Sequence, residues 1–151
     1  MNKEDFTISI VDDLESLIQV RNKMLRPNQS LDTCIFPDDD ISTHLGLSID
    51  KKLISIISFS KQDLEGFSGK ECWQFRGMAT LGEHSRLGYG KKIIISAIKI
   101  VQARKADIFW CNARESALNF YKKLNFKIIS KRFLVPISGP HYKMILKLNN
   151  K

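Results

Sequence analysis

Between Glu71 and Val101 the apolar residues change their period once, and the glycine pair Gly88 and Gly90 marks the place. Glu71 to Leu81 is a strand-like run rich in aromatic and apolar residues, whereas Ile93, Ile94, Ala97, Ile98 and Val101 repeat as one face of a helix. A chain that must bury a strand and an amphipathic helix joined by a glycine turn is most economically built as an α/β layered fold. The rest of the sequence agrees. Phe6, Ile8 and Ile10 alternate as a half-buried strand up to Val11, and Leu14, Leu17, Ile18 and Leu25 then follow at helical spacing, with Asp12 and Glu15 in the form of a capping box. Arg26-Pro27-Asn28-Gln29-Ser30 stops that helix, and the stretch through Pro37-Asp38-Asp39-Asp40 reads as an irregular crossing segment suited to substrate contacts. His44 to Ile49 and Leu53 to Ser60 form a hairpin pattern around Asp50-Lys51-Lys52, without the usual glycine, and Gln62 to Lys70 links them to the next strand as a meander. Asp107 to Cys111 reads as a short buried strand, and Ala117, Phe120, Tyr121 and Leu124 as a second helical face. Phe126 to Phe133 and His141 to Leu148 read as strands across a Pro136 to Pro140 turn. The order is β α β β β α β α β β, and residues 1–151 are expected to form a single domain around one mixed sheet.

Composition narrows the function. An excess of 24 basic over 16 acidic side chains gives +8, a field that attracts phosphorylated ligands but selects none of them. A nucleic-acid-binding module is disfavoured, because there is no helix-turn-helix, zinc or RNP-like aromatic pattern. No apolar run approaches the ~18 residues of a membrane span, and Met1 to Asp5 is charged with no apolar signal core behind it, so the expectation is a cytoplasmic protein with no membrane partner. Cys34, Cys72 and Cys111 cannot pair evenly and lack Cys or His neighbours at ligand spacing, so they read as buried thiols, with no metal site.

The stretch Ser85-Arg86-Leu87-Gly88-Tyr89-Gly90-Lys91 lies between a strand and the long helix. Its glycines let the backbone turn so that successive N–H groups point the same way, and the helix's first-turn N–H groups join them in a cradle for a diphosphate. Arg86 and Lys91 add charge. The spacing is wrong for a Walker loop, and the third glycine of the dinucleotide fingerprint is missing. Taken alone, the pair of glycines is also compatible with turn geometry only.

In context, Cys72 to Phe126 resembles the GNAT superfamily of acyl-CoA-dependent N-acetyltransferases, whose loop has the form [QR]xxGx[GA]; here it reads SRLGYG, with Ser85 in place of Gln or Arg. The family's AxxxYxxxGF helix is matched by ALNFYKKLNF, with Asn125 replacing Gly. The segments FRGMATL, FWCNAR and GPHYKMIL extend the likeness over nearly the whole chain. The resemblance implies an α/β fold with a mixed, mostly antiparallel central sheet, splayed strands and flanking helices. It also implies an enzyme that moves acetyl from acetyl-CoA, its co-substrate, to the amine of a small molecule or peptide by direct attack. The alternative is an acyl-CoA-binding sensor or interaction module without catalysis.

Carried over residue by residue, the resemblance implies that Met78, Ala79 and Thr80 pair with the pantetheine arm and that Arg86, Leu87, Gly88, Tyr89, Gly90 and Lys91 cradle the diphosphate. Asn112 would bond the pantetheine amides and Arg114 the cofactor phosphates or a substrate carboxylate, although Arg114 is equally suited to capping the next helix or to a solvated surface. Tyr121 stands where the family has a tyrosine near the thioester sulfur, and a phenol with an ordinary pKa of about 10 can protonate a departing thiolate. Periodicity alone would make it a core residue. His141 is the expected proton acceptor, with a structural role as its competitor, while Cys111 reads as a small hydrophobe because no His adjoins it. Arg21, Arg26, His44 and Arg76 are the expected acceptor-side residues, and Asp38, Asp39 and Asp40 are further candidates that individually read better as solvated surface. Edge strands in such a fold permit a homodimer.

Overall fold

The computed structural model describes residues 5–148, so that Met1 to Glu4, most of the N-terminal segment read above as lacking a signal core, lie outside the described residues. By its internal contacts the chain divides into two units, residues 1–60 with 77–98 and residues 61–76 with 99–151.

In the first unit, β1 (Thr7–Ile10) leads into α1 (Leu14–Leu25). Asp13 caps this helix, not Asp12, because only Asp13 directly precedes its first residue; Oδ1 accepts the N–H groups of Glu15 and Ser16 at 3.1 and 3.4 Å. The crossing segment contains two 3₁₀ turns, Leu31–Cys34 and Asp39–Ile41. The hairpin of β2 (Thr43–Ile49) and β3 (Lys52–Lys61) turns through Asp50 and Lys51 at φ 50° and 66°, the two left-handed residues that a tight hairpin needs whether or not a glycine supplies them. β1 and β2 pair antiparallel, as do β2 and β3, and the second half of β4 (Cys72–Thr80) follows β3 in the sheet. β3 is buried from Ile54 to Ser60, and α2 (Tyr89–Ala103), whose last five residues belong to the second unit, buries Ile93, Ile94, Ala97 and Val101 of the face its period predicts and leaves Ile98 half-buried.

The second unit contains the first half of β4, β5 (Ile108–Arg114) and β8 (Gly139–Lys147), with β6 (Lys127–Ile128) and β7 (Phe133–Val135) both paired to β8. β5 pairs antiparallel with β8 along its whole length. With β4 it is parallel, Cys72–Gln74 lying against Ile108–Trp110. Leu64, Cys72, Ile108, Trp110 and Ile145 form one buried cluster. The expected continuous strand from Phe126 to Phe133 is broken in two. Ser130 Oγ takes the Lys143 N–H at 2.8 Å in place of a main-chain partner, and regular pairing ends there. The helix expected from Ala117 to Leu124 is also shorter, a 3₁₀ turn at Glu115–Ala117 followed by α3 (Leu118–Lys122). The fold is α/β, with a large, mostly antiparallel open sheet and few flanking helices.

Candidate active site

The glycine loop behaves differently from its sequence reading in one respect. Gly88 has φ 85°, but the second left-handed residue is Arg86 at 63°, while Gly90 already lies inside α2. The Gly88 carbonyl accepts the Lys92 N–H at 3.1 Å, which makes Gly88 the residue before the helix and leaves the N–H groups of Gly90 and Lys91 in a first turn that offers them no intrahelical acceptor. A Cβ at Gly88 would meet no atom within 4 Å, so glycine is required there for its backbone angle and the space in front of it is open. Arg86, Leu87 and Lys91 are exposed, and Tyr89 is buried with its ring edge-on to Phe6 at 6.3 Å. Main-chain N–H groups, a helix N-terminus and two cations suit a diphosphate. Ser85, at the altered first motif position, donates its hydroxyl to the Gly82 carbonyl at 2.9 Å and closes the preceding turn. On β4, the Ala79 carbonyl accepts from Ser55 Oγ at 3.2 Å, and Ser55 and Thr80 hydroxyls lie 2.8 Å apart.

In the second unit Tyr121 is 8% exposed, within a ring cluster of Phe75, Phe120 and Phe126 at centroid distances of 5.6, 5.2 and 5.7 Å. The helix that carries it ends in a reciprocal pair of bonds: Phe126 N–H to the Tyr121 carbonyl at 3.1 Å and Asn125 N–H to the Lys122 carbonyl at 3.0 Å. Asn125 takes the left-handed conformation at φ 73°, as its substitution for Gly requires. Burial pushes the Tyr121 phenol well above its ordinary value, Cys111 adds to this and Arg114 opposes it, so the hydroxyl holds its proton throughout the physiological range. Burial likewise raises the Cys111 thiol, which fits a small hydrophobe and not a nucleophile.

Arg114 and His141 stand opposite one another in the β5–β8 ladder, and Asn112, opposite Lys143, is exposed. His141 is 6% exposed, and its Nδ1 lies 2.8 Å from the Gly139 carbonyl. A carbonyl only accepts, so Nδ1 carries the hydrogen and the neutral ring presents an unprotonated Nε2.

The expected acceptor-side residues separate into two groups. Arg21 and Arg26 are engaged within the first unit. Arg21 is 1% exposed and forks onto Asp39 at 2.7 and 2.9 Å, while Arg26 donates to the Thr33 carbonyl. Burial works to raise the Asp39 carboxyl, but the hydrogen bonds from Arg21 and the Phe36 N–H outweigh it and hold the group below the ordinary carboxylate value. Arg76 is half-buried on β4, and His44 lines a pocket of about 460 Å³ with Val11, Asp12, Phe36 and Asp40. Both His44 ring nitrogens are engaged, Nδ1 with Ser58 Oγ at 2.7 Å and Nε2 with the Asp39 carbonyl at 2.9 Å. The linked set of Arg21, Asp39, Ser58 and His44 was not visible as a group in the sequence. One sign of it was available: Arg21 falls on the face of Leu14, Leu17, Ile18 and Leu25, where a charge needs a partner. Among the described residues no group of three or more His, Cys, Asp or Glu is placed to hold a metal ion, and no helix is long and apolar enough to cross a membrane.

The profile of the Acetyltransferase (GNAT) family matches residues 11–126. The uncharacterized N-acetyltransferase YitI of Bacillus subtilis (strain 168) is 35% identical over 140 residues, covering 91% of each chain. Among solved structures, FeeM, an N-acyl amino acid synthase from uncultured soil microbes, superposes with a TM-score of 0.80 at 12% identity, over 96% of this chain and 92% of its own. A Bacillus subtilis acetyltransferase in complex with CoA superposes with a TM-score of 0.72 at 13% identity, over 96% and 100%. With a matching family profile across most of its length and a relative of that identity over nine-tenths of it, the chain belongs to the GNAT family of acetyltransferases and is an acyltransferase.

Proposed function

We propose that residues 1–151 work as one acetyltransferase domain that transfers acetyl from acetyl-CoA to an amine of a small molecule or peptide by direct attack, in the cytoplasm. The observation that carries this reading is the loop before α2, where left-handed Arg86 and Gly88 deliver the chain into a helix N-terminus whose first turn holds the Gly90 and Lys91 N–H groups. A donor set of main-chain N–H groups with Arg86 and Lys91 matches a diphosphate in charge and geometry. The acetyltransferase neighbour in complex with CoA supports the choice of acyl donor. Met78, Ala79 and Thr80 are assigned to main-chain pairing with the pantetheine arm, and Asn112 and Arg114 to its amides and phosphates.

The chemistry needs a base and an acid. As the amine nitrogen forms its bond to the thioester carbonyl carbon and the C–S bond breaks, one proton must leave the nitrogen and one must reach the sulfur. His141 is assigned the first task through Nε2, which its Nδ1–H bond to Gly139 leaves available in the neutral ring. Tyr121 is assigned the second, supported by a burial that keeps its phenol protonated. A strand N–H from Met78 to Thr80 would steady the carbonyl oxygen as it gains charge. Arg76 and the His44 pocket are assigned to the acceptor, and Arg21 and Arg26 to holding the segment between α1 and β2.

Acetyl-CoA should raise the thermal midpoint in proportion to the logarithm of its concentration above Kd, and an amine panel should then release free CoA thiol. An unmoved midpoint at millimolar acetyl-CoA would overturn this reading.

A further inference from the structure

Arg21 sits on the core face of α1 beside Leu17 and Val20, and all but one of its five guanidinium N–H groups are engaged. Nη1 donates to Asp39 Oδ2 at 2.7 Å and to the Cys34 carbonyl at 2.8 Å, and Nη2 donates to Asp39 Oδ1 at 2.9 Å and to Ser58 Oγ at 3.0 Å. Ser58 Oγ, which accepts from Arg21 Nη2, also lies 2.7 Å from His44 Nδ1, and His44 Nε2–H donates to the Asp39 carbonyl, so the network runs on from the guanidinium to β2. The guanidinium carbon lies 3.9 Å from the centroid of the Phe36 ring, and the Phe36 N–H donates to Asp39 Oδ2 at 2.8 Å. The remaining donor, Nε–H, is buried and has no partner among the described residues.

That uncommitted edge faces Gly77. A Cβ on Gly77 would lie 2.8 Å from a Phe36 ring carbon, closer than real Cβ atoms come, and 3.1 Å from Arg21 Nε, tighter than most real contacts. Gly77 also has φ 61°, a left-handed residue in the middle of β4. A strand deflected in that way holds its direction only where its surroundings over-determine it. Here the surroundings are a planar guanidinium and a ring that are themselves locked by a buried ion pair. Met78 to Thr80 continue directly from this point.

We propose that Arg21 is a positioning residue for acyl transfer: its guanidinium, clamped by Asp39, Cys34 and Ser58 and stacked on Phe36, seats Gly77 and thereby aims the main chain of Met78, Ala79 and Thr80. This rests on the reading that those residues receive the acyl donor. Arg21 touches no substrate; it acts through Gly77. Lysine in its place keeps the charge for Asp39 but supplies neither the fork nor the flat surface.

The test measures amide hydrogen exchange in the ligand-free protein and acetyl-CoA affinity by calorimetry, for wild type, Arg21→Lys, Gly77→Ala and the double variant. The expected result for Arg21→Lys is exchange at Met78, Ala79 and Thr80 at least tenfold faster while β2 and β3 are little changed, with affinity for acetyl-CoA at least tenfold weaker. Gly77→Ala should do the same, and the double variant should be little worse than the poorer single one, because both disturb the same contact between the guanidinium and Gly77. A residue that merely stabilised the fold would accelerate β2, β3 and β4 alike and give multiplying losses, and either outcome overturns the proposal. If Arg21→Lys does not fold, Ser58→Ala, which removes one of the clamping acceptors, is read in its place with a smaller change in the same residues. Wild type that fails to bind acetyl-CoA refutes the acyl-donor reading, and the exchange pattern separately decides whether Arg21 seats the strand.

Discussion

Two buried residues, Tyr121 and Asp39, have opposite reasons for being where they are. Tyr121 pays for its burial by keeping its proton, which is the state a general acid needs. Replacing it by Phe preserves the packing against Phe75, Phe120 and Phe126 and removes only the hydroxyl, so turnover should fall by about 10²-fold with the thermal midpoint nearly unchanged. Unchanged turnover would remove Tyr121 from the mechanism. Asp39 is buried charged, and neutralising it in Asp39→Asn leaves Arg21 uncompensated, at a cost of about 3 kcal/mol in chemical denaturation. Because the folded carboxyl titrates below its unfolded value, the stabilisation is fully present above the ordinary carboxylate range and is lost as pH falls through the lower folded value. Unfolding free energy followed from pH 7 downward should therefore drop more steeply in wild type than in Asp39→Asn. A stability curve of the same shape in both would contradict the assignment of that carboxylate.

In single elements, the local sequence signals mark the presence of a helix or strand more sharply than its ends. The β2–β3 hairpin and the α3 terminus both formed without the glycine that usually marks them, since Asp50, Lys51 and Asn125 accept positive φ. Each is a site of tolerated strain. Asn125→Ala should cost about 1 kcal/mol in urea denaturation, whereas Lys51→Gly should gain up to about 1 kcal/mol, because a side chain is penalised in the left-handed region and glycine is not. A loss on Lys51→Gly would mean that the unfolded chain's added freedom outweighs the relief of strain. The cap shifted from Asp12 to Asp13 because two adjacent aspartates offer the same chemistry and only the fold fixes which one borders Leu14. The break between β6 and β7 depends on where the Ser130 hydroxyl points, which no periodicity encodes.

At the scale of the molecule, the family was legible because its loop and helix motifs are local, while the sheet order was not. β8 lies between β5 and β6 through pairings that join residues far apart in the sequence, and apolar alternation is the same whichever neighbour a strand chooses. The ion pair of Arg21 and Asp39 is illegible in the sequence for a related reason, being a contact across 18 residues between a helix and an irregular turn. The net charge of +8 is legible at once and makes a prediction of its own. If the loop before α2 holds a diphosphate, affinity for acetyl-CoA should fall steadily between low and high salt, and Arg86→Ala should flatten that dependence. Salt-independent binding would argue against an electrostatic cradle.

Cys34, Cys72 and Cys111 are all buried. The folded enzyme is therefore nearly silent toward a thiol-reactive dye, so coenzyme liberated during turnover can be followed continuously by colour, and a later rise of three equivalents per chain would time the moment the protein itself comes apart.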